Sequence, residues 1–290
     1  MRPVLDAFSK KYPFIQTEYW RAGSDKVAEK ELAEARVGRQ SFDFSSVDID
    51  TYPEIKKAGL MKKYDWPNTR SWDPKYREPE GYAVARNILQ TVIAYNRDLV
   101  PAAEAPKSWE DVLNPKWKGA ISVDKEGYDW VLMLWAAWGK EKTVTYLKNV
   151  SKNGVTLGEG SSARTEMLAA GAFKIDLRLN LNQVRDRQKK GAPVEWVRTN
   201  PILEKGTFMY IAETAPHPNA AMLFADWLTS SEGQKIYSDA KGQISPDPTL
   251  KGRSAEMAEV LKGLKRVFVP LDMGKYTNEA EQIYKDIFWK

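Results

Sequence analysis

The sequence predicts an α/β protein built as two lobes, and three observations carry that prediction. Its 290 residues exceed what one average domain needs and fit two of ordinary size. Helical and strand periodicities alternate through the first hundred residues and again after Lys118. The Pro-rich stretch Pro101 to Pro106 separates the two alternating blocks. Apolar residues make up 42% and charged residues 29%, which is the balance of a folded globular chain rather than a disordered one.

The elements read as follows. Val4, Leu5, Ala7 and Phe8 have helical spacing, so a helix is expected from Pro3 to Lys11, stopping before Pro13. Phe14 to Trp20 alternates with period two and predicts a strand. Ser24, a favourable N-cap residue, opens a helix with Val27, Ala28, Leu32 and Ala35 on one face and Gly38 beyond its end. Ser41 to Val47 reads as a strand and Asp48 to Ala58 as a short helix stopped by Gly59. Residues 64–80 hold Trp66-Pro67-Asn68, Trp72-Asp73-Pro74 and Pro79 and read as irregular. Two extended pieces follow, Tyr82 to Arg86 and Leu89 to Tyr95.

Beyond the Pro-rich break, Ser108 caps a short helix over Trp109 to Leu113, and Lys118 to Val123 is a strand. Tyr128 to Trp138 is apolar nearly all round, which predicts a buried helix, with another from Lys140 to Val150. Gly154 to Leu157 is a short strand and Ala163 to Ala170 a helix ended by Gly171. In Phe173 to Asn180, Ile175, Leu177 and Leu179 share one face, and Lys174, Asp176, Arg178 and Asn180 the other. Val194 to Val197 and Thr207 to Ile211 are strands, Ala221 to Leu228 is an amphipathic helix, and the tail from Ser254 is helical with interruptions. Most of the eleven Trp fall in apolar helical patterns and read as core.

Composition narrows the chemistry. With no Cys there are no thiol nucleophiles, disulfides or thiolate metal sites. The one His, His217, lies between two prolines and reads as a turn residue. The net charge of +5 suits an anionic ligand, but Lys and Arg are scattered among acids, so no nucleic-acid partner is expected. No run approaches the roughly eighteen apolar residues that span a bilayer, and no basic-then-apolar leader opens the chain.

Three short patterns carry possible chemistry. Gly158-Glu159-Gly160-Ser161-Ser162-Ala163 fits G-x-G-x-x-A between a strand and a helix, with Asp176 downstream where a ribose-binding acid would stand. That pattern supports a nicotinamide-dependent oxidoreductase as the alternative function. The same Ser161 and Ser162 at a helix N-terminus also suit an anion, or cap the helix and do nothing more. Asp48 and Asp50 after a strand read either as a carboxylate pair for a metal-dependent transferase or as caps of the next helix.

Longer stretches carry a resemblance. Ala105 to Gly119 (APKSWEDVLNPKWKG) closely resembles a segment of the family 1 extracellular solute-binding proteins of ABC importers, in particular their ferric-ion-binding and phosphonate-binding members. Phe42 to Asp48 with Lys57 to Leu60, Met167 to Gly171, and His217 through Trp227-Leu228 to Gln234 are similar to the same family in the same order. The resemblance implies the two-lobe periplasmic-binding-protein type II fold with a ligand cleft between lobes that closes on the solute. It implies residues 1–95 with 202–250 as lobe 1 and 96–201 as lobe 2, the C-terminal helices of 251–290 packing on lobe 2. It further implies a non-catalytic receptor, not an enzyme, in the periplasm or outside the cell, working with the membrane subunits of an ABC importer.

Carried over residue by residue, the resemblance places Ser24, Ser46 and Asp48 of the first lobe at the ligand. From the second it places Tyr128 and Asp129 in the Asp124–Trp130 segment, Ser161 and Ser162. Where ferric-binding members carry adjacent tyrosines, this chain has Leu179-Asn180-Leu181-Asn182. Asn180 and Asn182, with Arg178, Ser161, Ser162 and Arg164, therefore favour a carboxylate, phosphonate, metal–anion complex or other small anion over a ferric ion bound directly by a tyrosine pair. Tyr82 and Tyr128 supply a ring wall or a phenol donor. No cofactor is expected. Arg178→Ala and Ser161→Ala are expected to weaken ligand binding with the fold intact. Family members also have a strand before the first helix that is not read here. The expectation is a monomer unless that lack causes strand swapping, and a chain that is poorly stable or strand-swapped unless another segment fills the place.

Overall fold

The computed structural model describes residues 1–289 and divides into two compact units. Met1–Ile88 and Gly206–Val260 form the first; Leu89–Lys205 and Leu261–Lys290 form the second. The elements in chain order begin with α1 (Arg2–Lys11), α2 (Ser24–Arg36), β1 (Phe44–Val47), α3 (Tyr52–Lys57) and β2 (Val84–Asn96). Next come β3 (Ile121–Asp124), α4 (Tyr128–Trp138), α5 (Lys140–Ser151), β4 (Val155–Gly158), α6 (Ser161–Ala169), β5 (Ile175–Asn180), α7 (Leu181–Lys189) and β6 (Val194–Trp196). The chain closes with β7 (Ile202–Ile211), α8 (Pro218–Thr229), α9 (Ser231–Lys241), α10 (Arg253–Val260), β8 (Arg266–Phe268) and α11 (Thr277–Phe288). The division falls inside β2 and inside β7, so each of these strands runs from one unit into the other.

In the first unit, β1 pairs antiparallel with the end of β7, from Phe44 opposite Ile211 to Val47 opposite Phe208. The core beneath joins Val4, Leu5 and Phe8 of α1 to Phe224, Trp227 and Leu228 of α8 and to Trp66 and Trp72. Phe8 makes an edge contact with Phe224 at 4.9 Å between ring centroids, the arrangement that ring quadrupoles favour. In the second unit, β3 pairs parallel with β4 and with β5, while β2 pairs antiparallel with β5 and β6. α4 is buried from Asp129 through Leu134, as a helix apolar nearly all round must be. It packs against α5 and α11, and Trp109, Trp130, Trp138 and Tyr146 meet around it.

Several elements differ from the sequence reading. Phe14 to Trp20 is irregular, not a strand, because its alternating side chains find no face to cover. Phe14 is 78% exposed and Trp20 57%. Ser24 is the first helical residue rather than the cap; Gly23 takes the cap position, and no side chain caps it. The helix read from Asp48 starts at Tyr52, because Pro53 lacks an N–H and is tolerated only in a first turn. The two extended pieces are one continuous strand, β2, whose Asn87 is buried despite its low strand preference. The helix read over Trp109 to Leu113 is a single turn from Asp111 to Leu113, although the Asp111 N–H does donate to Ser108 Oγ at 3.1 Å. The tail holds a short strand, β8, parallel to β7, which three residues are too few to announce.

Candidate functional site

In the second unit the parallel pairing of β3 with β4 and β5 sets the carboxyl ends of all three strands along one edge. Each end leads directly into a helix: β3 into α4, β4 into α6, β5 into α7. Three helix N-termini with unsatisfied N–H groups thus gather there, the arrangement at which open α/β sheets bind ligands. Tyr128 and Asp129 open α4, Ser161 and Ser162 open α6, and Asn182 stands second in α7 after Asn180. The Asn180 N–H donates to Ser161 Oγ at 3.0 Å, Ser161 Oγ meets Gln183 Oε1, and Gln183 Nε2 donates to Ser162 Oγ at 2.8 Å. The edges of α6 and α7 are tied together by neutral amide and hydroxyl groups.

Beneath this edge lies an ionic network. Arg178 Nη1 meets Asp124 Oδ2 at 2.6 Å, and its Nη2 meets Asp129 Oδ1. Lys205 Nζ meets Asp129 Oδ2 at 2.6 Å. Arg164 reaches Asp124 at 3.2 Å and Asp176 at 3.5 Å, and its Nη2 donates to the Arg178 carbonyl at 2.5 Å. Three carboxylates face three cations, so the network is neutral when all are ionised. Burial alone would raise the Asp129 carboxyl, but the Arg178 and Lys205 charges hold it well below the usual carboxylate range. Burial dominates at Asp176 and pushes its carboxyl up despite Arg164. Burial opposes the charge on Arg178, but Asp129 and Asp124 together raise its pKa.

The structure therefore places the predicted basic residues differently from the sequence reading. Arg164 is 0% exposed and faces inward, and Arg178, its side chain 15% exposed, is held between two carboxylates. The glycine motif has a packing cause: a Cβ on Gly158 would meet Arg164 Cγ at 2.8 Å and Cδ at 2.9 Å, so the glycine lets the arginine stem pass. Asp176 is 0% exposed and paired with Arg164, beyond reach of a ribose. These two facts remove the physical basis of the dinucleotide reading.

In the first unit, Ser46 lies on β1 and accepts a hydrogen bond from Arg86 Nη1 at 3.1 Å. Arg86 is the one side chain of β2 that is not fully buried. Its Nε reaches Asn87 Oδ1 at 3.4 Å, and its guanidinium lies 5.1 Å over the Tyr237 ring of α9. None of these described partners is acidic. Sequence reasoning passed over Arg86, although it is the only charged residue between Val84 and Tyr95 and that isolation was its signal. Asp48 follows β1, and its carbonyl accepts from the Tyr52 N–H at 3.0 Å, opening the turn into α3. Ser24 is half-buried at the start of α2. Tyr82 donates its N–H to Glu78 Oε2 at 3.0 Å under Lys56, and no described contact joins it to Ser46 or Arg86. In the second unit Tyr128 packs edge-on against Tyr284 at 5.8 Å.

Behind Ser46, the buried Glu31 of α2 accepts from Ser45 Oγ and from Tyr210 OH. Burial raises the Glu31 carboxyl above its ordinary value, more than those two donors lower it. A carboxyl raised by folding stabilises fully below its unfolded pKa, and that contribution is lost as pH rises through the folded value. Glu31→Gln is therefore expected to gain stability relative to the parent between pH 4 and pH 7. Urea denaturation of both proteins at the two pH values checks this, and a constant difference overturns it.

Strand ends that open helices in two α/β units are the setting in which such folds hold small ligands. A model of the bacterial extracellular solute-binding protein family matches residues 44–272, and the chain belongs to that family. The chain is 24% identical over 242 residues to an Fe(3+)-binding periplasmic protein of Serratia marcescens, covering 80% of this chain and 71% of that one. The periplasmic binding protein AfuA of Actinobacillus pleuropneumoniae, solved with exogenous fructose-6-phosphate bound, superposes with a TM-score of 0.86 at 22% identity over 99% of this chain and 94% of that one. Iron-bound HitA of Pseudomonas aeruginosa superposes with a TM-score of 0.79 at 19% identity, covering 98% and 94%. The fold is the two-lobe type II periplasmic-binding-protein fold. The chain is a non-catalytic solute-binding component of ABC import, and the oxidoreductase alternative falls.

Proposed function

We propose that this chain captures a small solute bearing an oxyanion (a phosphate monoester, phosphonate or carboxylate) in the periplasm and delivers it to the membrane subunits of an ABC importer. Arg86 carries the reading. It is a partly buried guanidinium whose described hydrogen-bond and ring partners are all uncharged, so its charge remains for a ligand, whereas Arg164, Arg178 and Lys205 are each paired with carboxylates. Ser46 adds a hydroxyl beside it. The neutral amides and hydroxyls of Ser161, Ser162, Asn180 and Gln183 in the second unit suit hydroxyl groups of a solute better than a charge. The sugar phosphate in AfuA supports this combination. Capture by lobe closure follows if a ligand makes more contacts in the closed form than in the open one.

A melting panel with fructose 6-phosphate, methylphosphonate, citrate, ferric citrate and neutral fructose tests the proposal. A ligand at a hundred times its Kd stabilises by about 2.7 kcal/mol. The sugar phosphate is expected to raise the melting temperature in a concentration-dependent way, and neutral fructose to leave it unchanged. An equal response to fructose, or a response to ferric citrate alone, overturns the oxyanion reading.

A further inference from the structure

The first unit holds a second place suited to an anion. Residues 63–84 line a half-open cavity of about 620 Å³, within the usual size range of small-molecule sites. Lys63 and Arg77 line it, and neither forms an ion pair among the described residues. Arg77 Nε is buried without a hydrogen-bond partner, which is costly unless something outside the chain supplies an acceptor.

The acids of the same wall are already occupied. Asp65 pairs with Arg70 at 2.5 Å; Glu78 and Glu80 pair with Lys56 at 2.7 and 2.5 Å. Glu78 also accepts from Tyr52 OH at 2.9 Å and from the Glu80 and Tyr82 N–H groups at 2.9 and 3.0 Å. Counted with these counter-ions, Lys56, Lys63, Arg70 and Arg77 stand against Asp65, Glu78 and Glu80, with Lys56 shared by two carboxylates. The wall keeps a single net positive charge, and Lys63 and Arg77 are its cations without a carboxylate partner among the described residues.

The wall is also held in one shape. Trp66 is buried in the left-handed region at φ 50°, and its indole N–H donates to the Gly81 carbonyl at 2.9 Å. A Cβ on Gly81, itself at φ 91°, would meet the Tyr64 carbonyl oxygen at 2.9 Å, so only glycine closes the rim. Tyr64 OH donates to Asp226 Oδ1 at 2.9 Å, anchoring that side to α8. A buried non-glycine residue in this backbone region persists only where its surroundings over-determine it, and such strain gathers at ligand sites.

We propose that this cavity is an accessory binding site for a small oxyanion, phosphate or carboxylate, held by Arg77 and Lys63. It shares no residue with the Ser46–Arg86 cluster and does not depend on it. Arg77 supplies a planar donor fork, and the exposed Lys63 a point charge on a flexible stem.

Amide-resolved NMR titration of the full chain with inorganic phosphate, and separately with citrate, tests it. Saturable shifts are expected at amides within residues 63–84. They should weaken at least tenfold in Arg77→Gln and in the milder surface change Lys63→Gln, and persist in Arg86→Gln. A response to phosphate alone or to citrate alone tells which oxyanion the cavity takes. Three outcomes overturn the proposal: no saturable shift in this segment, shifts unchanged by both Arg77→Gln and Lys63→Gln, or shifts abolished by Arg86→Gln.

Discussion

Arg178→Ala is expected to destabilise the second unit by about 3–5 kcal/mol, the cost of breaking a buried ion pair from one side. Removing the guanidinium leaves Asp129 with Lys205 alone and Asp124 with the more distant Arg164. Asp129 is almost wholly buried and Asp124 nearly so, and neither recovers full solvation. The sequence reading expected Arg178→Ala to weaken ligand binding with the fold intact; burial moves the effect from affinity to stability. The pH dependence has a definite sign. Asp129 is depressed on folding, so its contribution is present above the ordinary carboxylate range and lost as pH falls below it. The variant should therefore lose part of that acid sensitivity. Hydrogen exchange at the amides of β3 and β5 reports the second unit directly, which matters because a two-unit chain need not unfold in one step. An unchanged exchange pattern with only a loss of affinity would return Arg178 to the ligand. Ser161→Ala serves as the comparison, since it removes one hydroxyl from a neutral cluster and leaves every ion pair in place.

The contrast between Arg178 and Arg86 shows what the sequence made legible. Alternation along β5 correctly set Asp176, Arg178 and Asn180 on one face. It said nothing of what lay opposite, because Asp124, Asp129 and Lys205 come from β3, α4 and β7, distant in the chain. A polar face in a strand reads as a surface or a ligand wall unless partners of opposite charge are known. Arg86 was hidden the other way: a single charge in an apolar run reads as the end of a strand, and only the continuous burial of β2 makes its exposure meaningful. Local patterns served well where the information was local, as at α4, whose ends Tyr128 and Trp138 match the apolar run. They failed at Phe14 to Trp20, where period-two alternation is not enough without a neighbouring strand to accept its hydrogen bonds. The glycine motif misled for a similar reason, since the atom that demands Gly158 belongs to a side chain six residues later.

Arg86→Gln is expected to weaken binding of a sugar phosphate about a hundredfold, equivalent to about 2.7 kcal/mol. The figure follows from losing charge-assisted hydrogen bonds to an oxyanion, each stronger than a neutral one by about twofold. The fold should tolerate the change. Gln keeps a donor for Ser46 and Asn87, and the contact over Tyr237 contributes about 1 kcal/mol or less at a partly exposed site. Affinity and stability therefore move apart at Arg86, whereas they move together at Arg178. Calorimetric titration with fructose 6-phosphate, alongside the melting temperature without ligand, separates the two. Arg86→Lys should fall between parent and Gln, because it keeps the charge and loses the planar fork. Raising the salt should weaken the parent more than Arg86→Gln, since only the parent retains the charge that salt screens. Affinity within twofold of the parent in Arg86→Gln, with an unchanged melt, would place the oxyanion elsewhere and remove the observation on which the proposed ligand class rests.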